Sequence, residues 1–297
     1  MHLGRLVLQN PVVLTSGTCG YGKEMQPYLD LNSLGAITVK GLSLFPWPGN
    51  PPPRIWETKA GLLNSIGLEN KGVERFLEED LPFLEGLTTR VFVNIWGRTV
   101  DEYVAVARKL NEVKRIDALE LNLSCPNVEK GGATFIADLE VLKRLVGEVR
   151  AATEKFLIAK LGPQVCDWET TVALLEEGGV EALSITNSFP ALVIDVERMD
   201  FVFALKTAGL SGPAIKPLAL KMVYDLVGIT KLPVIGMGGI TTAEDALEFL
   251  LVGAKAVGIG TASLVVPSSA IRVLEGIKQY LFRKGITDVE EIIGKVR

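Results

Sequence analysis

Eight short apolar runs of strand length, each followed by a segment of helical period, dominate this sequence. Their alternation predicts parallel βα units, and eight such units within about 250 residues are the signature of a closed barrel. We therefore predict an α/β fold, a (β/α)8 TIM barrel, with residues 1–297 as a single domain. The predicted strands are VVLTSG from Val12, AITVKG from Ala36, VFVNIWG from Val91, ALELNLS from Ala118, FLIAKLG from Phe156, ALSITNS from Ala182, PVIGMGG from Pro233 and AVGIGT from Ala256.

A long connection, residues 41 to 68, separates the second predicted strand from its helix. It contains the proline-rich run FPWPGNPPPR from Phe45 to Arg54. An interdomain linker at this point would cut the barrel in half. Because a connection of this length in a compact barrel usually has a functional reason, we predict a rigid excursion over the active-site face.

The charge balance and the hydropathy pattern exclude several classes of function. The chain carries 31 Lys and Arg against 35 Asp and Glu, a net charge of -4, with no basic run. Nucleic acid is therefore not an expected partner. No apolar stretch has membrane-spanning length, and the N-terminus is too interrupted for a signal peptide. We expect a cytoplasmic protein.

The few cysteines and the one histidine limit which sites and which catalytic groups the chain can contain. The three cysteines, Cys19, Cys125 and Cys166, are far apart and form no C-x-x-C pair. A disulfide framework, a metal site or an iron–sulfur cluster within this chain is not expected. The one histidine, His2, stands at the N-terminus. Proton transfer at an active site must therefore use Cys, Lys, Ser or a carboxylate.

Polar residues stand at the carboxyl ends of the predicted strands, where barrel enzymes place their active sites. Lysines and asparagines need partners or a ligand when they are buried. A merely structural barrel would tolerate two buried lysines and four asparagines poorly, so we predict a ligand site at this face. These ends carry Thr15, Ser16 and Gly17; Lys40 and Gly41; Asn94; Asn122, Ser124, Cys125, Pro126 and Asn127; Lys160; Asn187 and Ser188; Gly238 and Gly239; and Gly260 and Thr261.

The glycines after the seventh and eighth strands indicate a phosphate site. GMGG and GIGTA could each form a simple tight turn. Together they stand where barrels commonly bind a phosphate, often at the start of a short helix. Lys160, after the fifth strand, fits a role beside a flavin ring or in polarising a carbonyl; the alternative is a lysine that extends to solvent.

Cys125 is the candidate base. A free cysteine is more often a small buried apolar residue than a catalyst. Here it lies in NLSCPNVEKGG, followed by Pro126 and flanked by Asn122 and Asn127. Cys19 and Cys166 lack such a setting, and we expect structural roles for both.

The whole sequence resembles the family 1 dihydroorotate dehydrogenases, and its motifs are similar to those of the type B branch. Several independent matches occur in the right order, so coincidence is implausible. They are NPVVLTSGTCGYG, VKGLSLFPWPGNPPPR, LLNSIGLENKGVE, VNIWGRTVDEY, ALELNLSCPNVEKGG, GLSGPAIKPLAL and VIGMGGITTAEDALEFLLVGAKAVGIGTA.

The resemblance implies a set of site residues, with Cys125 and Lys40 as the catalytic pair. FMN would be held by Ser16, Gly17, Lys40, Gly41, Asn94, Asn122, Lys160 and Ser188, with its phosphate at Gly212, Gly238, Gly239, Gly260 and Thr261. Orotate would be bound by Lys40, Asn64, Ile66, Gly67, Leu68, Asn122, Asn127, Asn187 and Ser188. A flat pyrimidine with alternating carbonyl and N–H groups suits such amides.

The resemblance also implies partners and a pathway. The chain would oxidise dihydroorotate in de novo pyrimidine biosynthesis. A second subunit carrying FAD and a 2Fe–2S cluster would pass the electrons to NAD. We expect a heterotetramer around a homodimer of this chain.

Three departures and four alternatives accompany this interpretation. Trp96 replaces an expected small residue, Gly162-Pro163-Gln164 replaces a Thr-Pro-Asn, and residues 188–203 replace a glycine-containing loop.

The alternatives are a type A homodimer that reduces fumarate, a related flavin reductase of pyrimidines, a non-redox phosphate-substrate lyase or isomerase with Lys160 as Schiff base, and a non-catalytic scaffold.

Overall fold

The computed structural model describes residues 1–124 and 133–296, with the backbone alone for residues 133 and 134. In chain order its strands are β1 (His2–Leu3), β2 (Leu6–Val7), β3 (Val12–Leu14), β4 (Ala36–Leu42), β5 (Ile55–Thr58), β6 (Gly61–Asn64), β7 (Arg90–Ile95), β8 (Ala118–Asn122), β9 (Phe156–Leu161), β10 (Ala182–Ile185), β11 (Phe189–Leu192), β12 (Ile194–Asp195), β13 (Asp200–Phe201), β14 (Thr207–Ser211), β15 (Val234–Met237) and β16 (Ala256–Ile259). Its helices are α1 (Val73–Glu79), α2 (Leu81–Glu85), α3 (Val100–Asn111), α4 (Ala133–Ala137), α5 (Leu139–Ala152), α6 (Trp168–Glu177), α7 (Lys216–Ile229), α8 (Ala243–Leu251), α9 (Thr261–Val265) and α10 (Ser269–Lys284).

Eight parallel strands close into a barrel in the order β3-β4-β7-β8-β9-β10-β15-β16. Each of the eight predicted strands supplies one of them, so the predicted (β/α)8 barrel is confirmed. The prediction of a helix after every strand is wrong for the first unit. Between β3 and β4 the chain forms two short 3-10 turns, Lys23–Met25 and Leu31–Ser33. Gly20, Gly22 and Pro27 disfavour an α-helix in this segment.

Side chains alternate along the barrel strands between the barrel interior and the surrounding helices. On β8, Leu119 and Leu121 pack outward with the helices, whereas Ala118 packs inside the barrel. Glu120 and Asn122 follow Ala118 on the inward face. The lower interior is apolar, and Leu3 and Leu8 from the N-terminal segment pack into it. The upper interior is polar and forms the floor of the site.

A second sheet covers part of the barrel mouth. The long connection after β4 folds into the hairpin β5–β6, and the segment after β10 adds β11 and β14, giving the antiparallel order β11-β14-β6-β5. Asn64 of β6 pairs with Gly209 of β14. The connection of residues 41–68 therefore lies over the mouth, as predicted. Residues 188–203, predicted only as a loop that departs from the usual pattern, contain β11, β12 and β13.

The seventh unit shows how local sequence sets the helices of the barrel. Thr242 caps α8 by accepting a hydrogen bond from the backbone N–H of Asp245, and the Asp245 carboxylate accepts one from the backbone N–H of Thr242. This reciprocal capping box is the expected signal of a helix start. Among the helices of the described residues, none is both long and apolar enough to cross a bilayer.

Candidate functional site

A cavity of about 280 Å³ opens at the carboxyl ends of the barrel strands. Every residue predicted to contact FMN or orotate within the described part of the chain lines it: Ser16, Gly17, Lys40, Gly41, Asn64, Ile66, Gly67, Leu68, Asn94, Asn122, Lys160, Asn187, Ser188, Gly212, Gly238, Gly239, Gly260 and Thr261. Cys125 and Asn127 lie outside the described residues. The structure therefore brings together residues from strands distant in sequence at one site, and their individual roles stay predictions.

Glycine backbone forms one end of the cavity. Gly212, Gly238 and Gly239 have φ values of 94°, 123° and 76°. Residues that carry a side chain rarely adopt such values. A Cβ on Gly239 would come within 2.9 Å of the carbonyl oxygen of Gly212. The short helix α9 begins at Thr261, directly after Gly260. Bare backbone beside a helix start suits a phosphate group.

A chain of polar side chains joins the ends of β7, β8 and β10 beneath the cavity. The Nδ2 of Asn122 donates to the Oδ1 of Asn94 at 3.3 Å. The Oγ of Ser124 lies 3.5 Å from the Oδ1 of Asn122 and accepts from the Nδ2 of Asn187 at 2.9 Å. These contacts fix the orientation of three amides, so the cavity presents defined donors and acceptors.

The two lysines occupy different environments. Lys160 is 6% exposed and lines the cavity, so the alternative of a lysine extending to solvent is wrong. Lys40, on β4, is half-buried and also lines the cavity. Burial lowers the pKa of Lys40 below its usual range, and the negative charge of Glu69 opposes that shift. The site thus combines two cationic groups with amides and bare backbone.

The sequence interpretation missed Glu120. This carboxylate is 2% exposed and lies one step below Asn122 on the inward face of β8. It accepts hydrogen bonds from the Nδ2 of Asn94 and the Oγ of Ser184, at 2.7 and 2.8 Å. An acidic residue two positions before a site residue, inside an apolar strand, was the signal that could have revealed it.

Thr186 is a second residue that was missed. It lines the cavity, is 4% exposed, and its buried Oγ1 has no hydrogen-bond partner among the described residues. A buried hydroxyl without a partner costs free energy unless a ligand satisfies it. The sequence ALSITNS contained this signal, because Thr186 stands just before the predicted Asn187.

Two of the three cysteines fall within the described residues, and neither is placed as a base. Cys19 is buried, and its Sγ contacts the carbonyl oxygens of Thr15 and Thr38 at 3.5 and 3.3 Å. Burial raises the pKa of this thiol to about 12, so it stays protonated near neutral pH. Cys166 is exposed and does not line the cavity.

Two of the three sequence departures, at Trp96 and at Gly162-Pro163-Gln164, lie beside the cavity rather than on its wall, whereas Ser188 of the third lines it. Trp96 is 1% exposed and packs edge-on against Trp47, with 5.7 Å between the ring centroids. A Cβ on Gly162 would come within 3.0 Å of the Cβ of Ser124, so a larger residue there would press on the strand end that precedes Cys125. In the parts of the chain described, no group of three or more His, Cys, Asp and Glu could hold a metal ion.

Comparisons with known proteins agree with this architecture. A family model described as dihydroorotate dehydrogenase matches residues 2–281. Proteins named dihydroorotate dehydrogenase B (NAD(+)), catalytic subunit, are similar over their length. The one from Thermoanaerobacter sp. (strain X514) is 48% identical over 297 residues, 100% of this chain and 98% of the relative. The one from Thermodesulfovibrio yellowstonii is 47% identical with the same coverage.

A solved structure supports the fold. The crystal structure of DHODH in complex with ferulenol from Eimeria tenella has a TM-score of 0.80 at 23% sequence identity. The match covers 98% of this chain and 86% of that chain. At this identity the likeness supports the shared barrel architecture and nothing finer.

Proposed function

Because the chain belongs to the dihydroorotate dehydrogenase family, we propose that it is the FMN-containing catalytic subunit of a type B enzyme, which oxidises dihydroorotate to orotate in pyrimidine biosynthesis. The observation that carries this proposal is that the predicted FMN and orotate residues of the described chain all line one cavity. Relatives at 47–48% identity that are named as such catalytic subunits support it.

The residues present fit FMN. Bare backbone at Gly212, Gly238 and Gly239 suits the phosphate, and the buried cation of Lys160 suits an electron-rich ring. The unpartnered Oγ1 of Thr186 offers a further hydrogen bond toward the cavity. When bound, FMN supplies the acceptor for the hydride removed from the substrate.

The amide groups of the site fit a flat pyrimidine acid. Asn64 ends β6 in the sheet over the mouth, Asn187 follows β10, and Asn122 ends β8; all three line the cavity. Each amide both donates and accepts, which matches alternating carbonyl and N–H groups on the ring. Lys40 supplies a positive charge for the substrate carboxylate.

Cys125 is the proposed base that takes the proton from the substrate ring. Its neighbour Ser124 is buried at the end of β8 and is tied to Asn122 and Asn187, so the chain enters the Cys125 segment at the cavity. His2 and Cys19 are poor candidates for the base. His2 lies in β1, next to the apolar lower end of the barrel, and the thiol of Cys19 is buried.

The proposed electron acceptors after FMN lie on a second polypeptide. A second subunit with FAD and a 2Fe–2S cluster would carry electrons from FMN to NAD in the cytoplasm, within a heterotetramer built on a homodimer of this chain. The words "catalytic subunit" in the names of the relatives support a partner. A type A homodimer that reduces fumarate is the competing assignment.

Purification and turnover test the proposed function directly. The purified chain should be yellow and release about one FMN per chain on denaturation, and it should form orotate from dihydroorotate with an artificial dye as acceptor. A colourless protein that cannot be loaded with FMN would contradict the proposal and return the non-redox barrel to consideration.

The pH dependence of substrate binding should show whether Lys40 binds the substrate carboxylate. The protonated lysine is the form that holds an anion, and burial lowers the pKa of Lys40. The KM for dihydroorotate should therefore rise on the alkaline side at a lower pH than an ordinary lysine would give, approaching about tenfold per pH unit. KM measured from pH 7 to 10 checks this.

Lys40→Arg is the matched control, because an arginine keeps its charge over that pH range. Its KM can differ from that of the parent but should not change with pH through this group. An identical alkaline rise in the arginine variant would show that another group is responsible.

A further inference from the structure

Glu120 is a buried acid at the centre of the barrel that no step of the proposed chemistry uses. It lies beneath the cavity and not on its wall. On the neighbouring strand β9 it is level with Ile158, and one step above, Asn122 is level with Lys160. An apolar side chain could fill this place, as Ile158 does on β9. A carboxylate here is costly unless it is paired and hydrogen-bonded.

Glu120 is held from three directions. Asn94 on β7 and Ser184 on β10 each donate one hydrogen bond to it. Lys160 on β9 places its Nζ 3.8 Å from the Oε1 of Glu120. The carboxylate thus connects two cavity-lining residues, Asn94 and Lys160, through one buried group.

The charge of Lys160 is balanced by Glu120 beneath it, and its Nζ can contact a ligand in the cavity above it. Glu120 is the carboxylate found within ion-pair distance of Lys160 in the described residues. At 3.8 Å the pair attracts without a hydrogen bond, and none from the Nζ to another described residue is found. A lysine has three N–H donors, so those of Lys160 are available toward the cavity that it lines.

We propose that Glu120 is a positioning residue that acts through Lys160 and Asn94: it holds both side chains toward the cofactor ring and offsets the positive charge that Lys160 presents there. This inference rests on the proposed function for the identity of the ring. Its structural half, the coupling of Glu120 to Lys160, does not.

The first test is the redox potential of bound FMN in Glu120→Gln. Glutamine keeps the size of the side chain and an oxygen acceptor for Asn94 but removes the negative charge. The positive charge of Lys160 then acts unopposed on the charge that reduction places on the ring. The two-electron equilibrium should shift about tenfold toward reduction, about 30 mV more positive. A merely structural role would leave the potential unchanged.

The second test needs neither cofactor nor activity. Melting temperatures of the FMN-free protein are measured for Glu120→Gln, Lys160→Met and the double variant. Lys160→Met should lower the melting temperature most, because it leaves a buried carboxylate without its counter-charge. The double variant should recover at least half of that loss. If Glu120→Gln folds only together with Lys160→Met, the coupling is shown equally.

Ile158→Val is the matched control, since it removes one methylene at the same level of the barrel without changing charge. Its potential should equal that of the parent. Additive melting temperatures, or an unchanged potential in Glu120→Gln, overturn the proposal. If the melting temperatures of the variants are not additive but the chain never binds FMN, the coupling of Glu120 to Lys160 is supported and the proposed function is refuted.

Discussion

Cys125→Ala should keep its FMN and oxidise dihydroorotate at least about 10²-fold more slowly than the parent, the lower end of the loss for a positioned acid–base group. FMN content should stay near one per chain, because no predicted FMN contact is removed. Flavin absorbance of the purified variant and dye-linked turnover give the two measurements. The effect should fall on the chemical step and not on cofactor binding.

The ionisation of the thiol provides an independent test of the same role. The thiolate is the proton acceptor, so the parent rate should rise with pH through the pKa of Cys125 and then level off. The alanine variant should lose that dependence. Cys166→Ala, at an exposed position away from the cavity, is the control and should behave as the parent does. An alanine variant of Cys125 within a few-fold of the parent rate would remove it as the base.

The barrel could be predicted from sequence because its signal is local and repeated. Each barrel strand is a short apolar run, and burial on both faces leaves no alternation that could be confused with a surface strand. The polar residues at the strand ends were predictable for the same reason, because closure of the barrel brings those ends to one face. Asn94, Asn122 and Lys160 therefore meet in space although they are far apart in sequence.

What the sequence did not reveal depends on non-local contacts. The sequence marked Glu120 as an acid inside an apolar strand, but its partners became known only when β7, β9 and β10 brought Asn94, Lys160 and Ser184 against it. The sheet β11-β14-β6-β5 joins two connections separated by more than a hundred residues, and no local pattern predicts such pairing. The absence of an α-helix between β3 and β4 has a local cause instead. Gly20, Gly22 and Pro27 disfavour a helix there, although the eightfold repeat predicted one.

The purified chain alone should pass electrons from dihydroorotate to an artificial dye rapidly and to NAD barely above background. The sequence contains no strand followed by G-x-G-x-x-G and a helix, the usual dinucleotide-binding pattern. GTCGYG, which follows β3, lacks that spacing, and its Cys19 is buried within the core. The proposed FMN would occupy the cavity at the carboxyl ends of the barrel strands, so that cavity would not be open to NAD.

A relay to NAD therefore needs redox centres that this chain is not expected to hold. Four cysteines are the usual ligands of an iron–sulfur cluster, and the chain has three, of which Cys19 is buried and Cys166 is exposed. Addition of an iron–sulfur FAD subunit should restore rapid NAD reduction. Cys125→Ala with that same subunit is the control and should stay slow, because the electrons must come from substrate oxidised on this chain. Rapid NAD reduction by the isolated chain would refute the relay, and rapid fumarate reduction would favour the type A assignment.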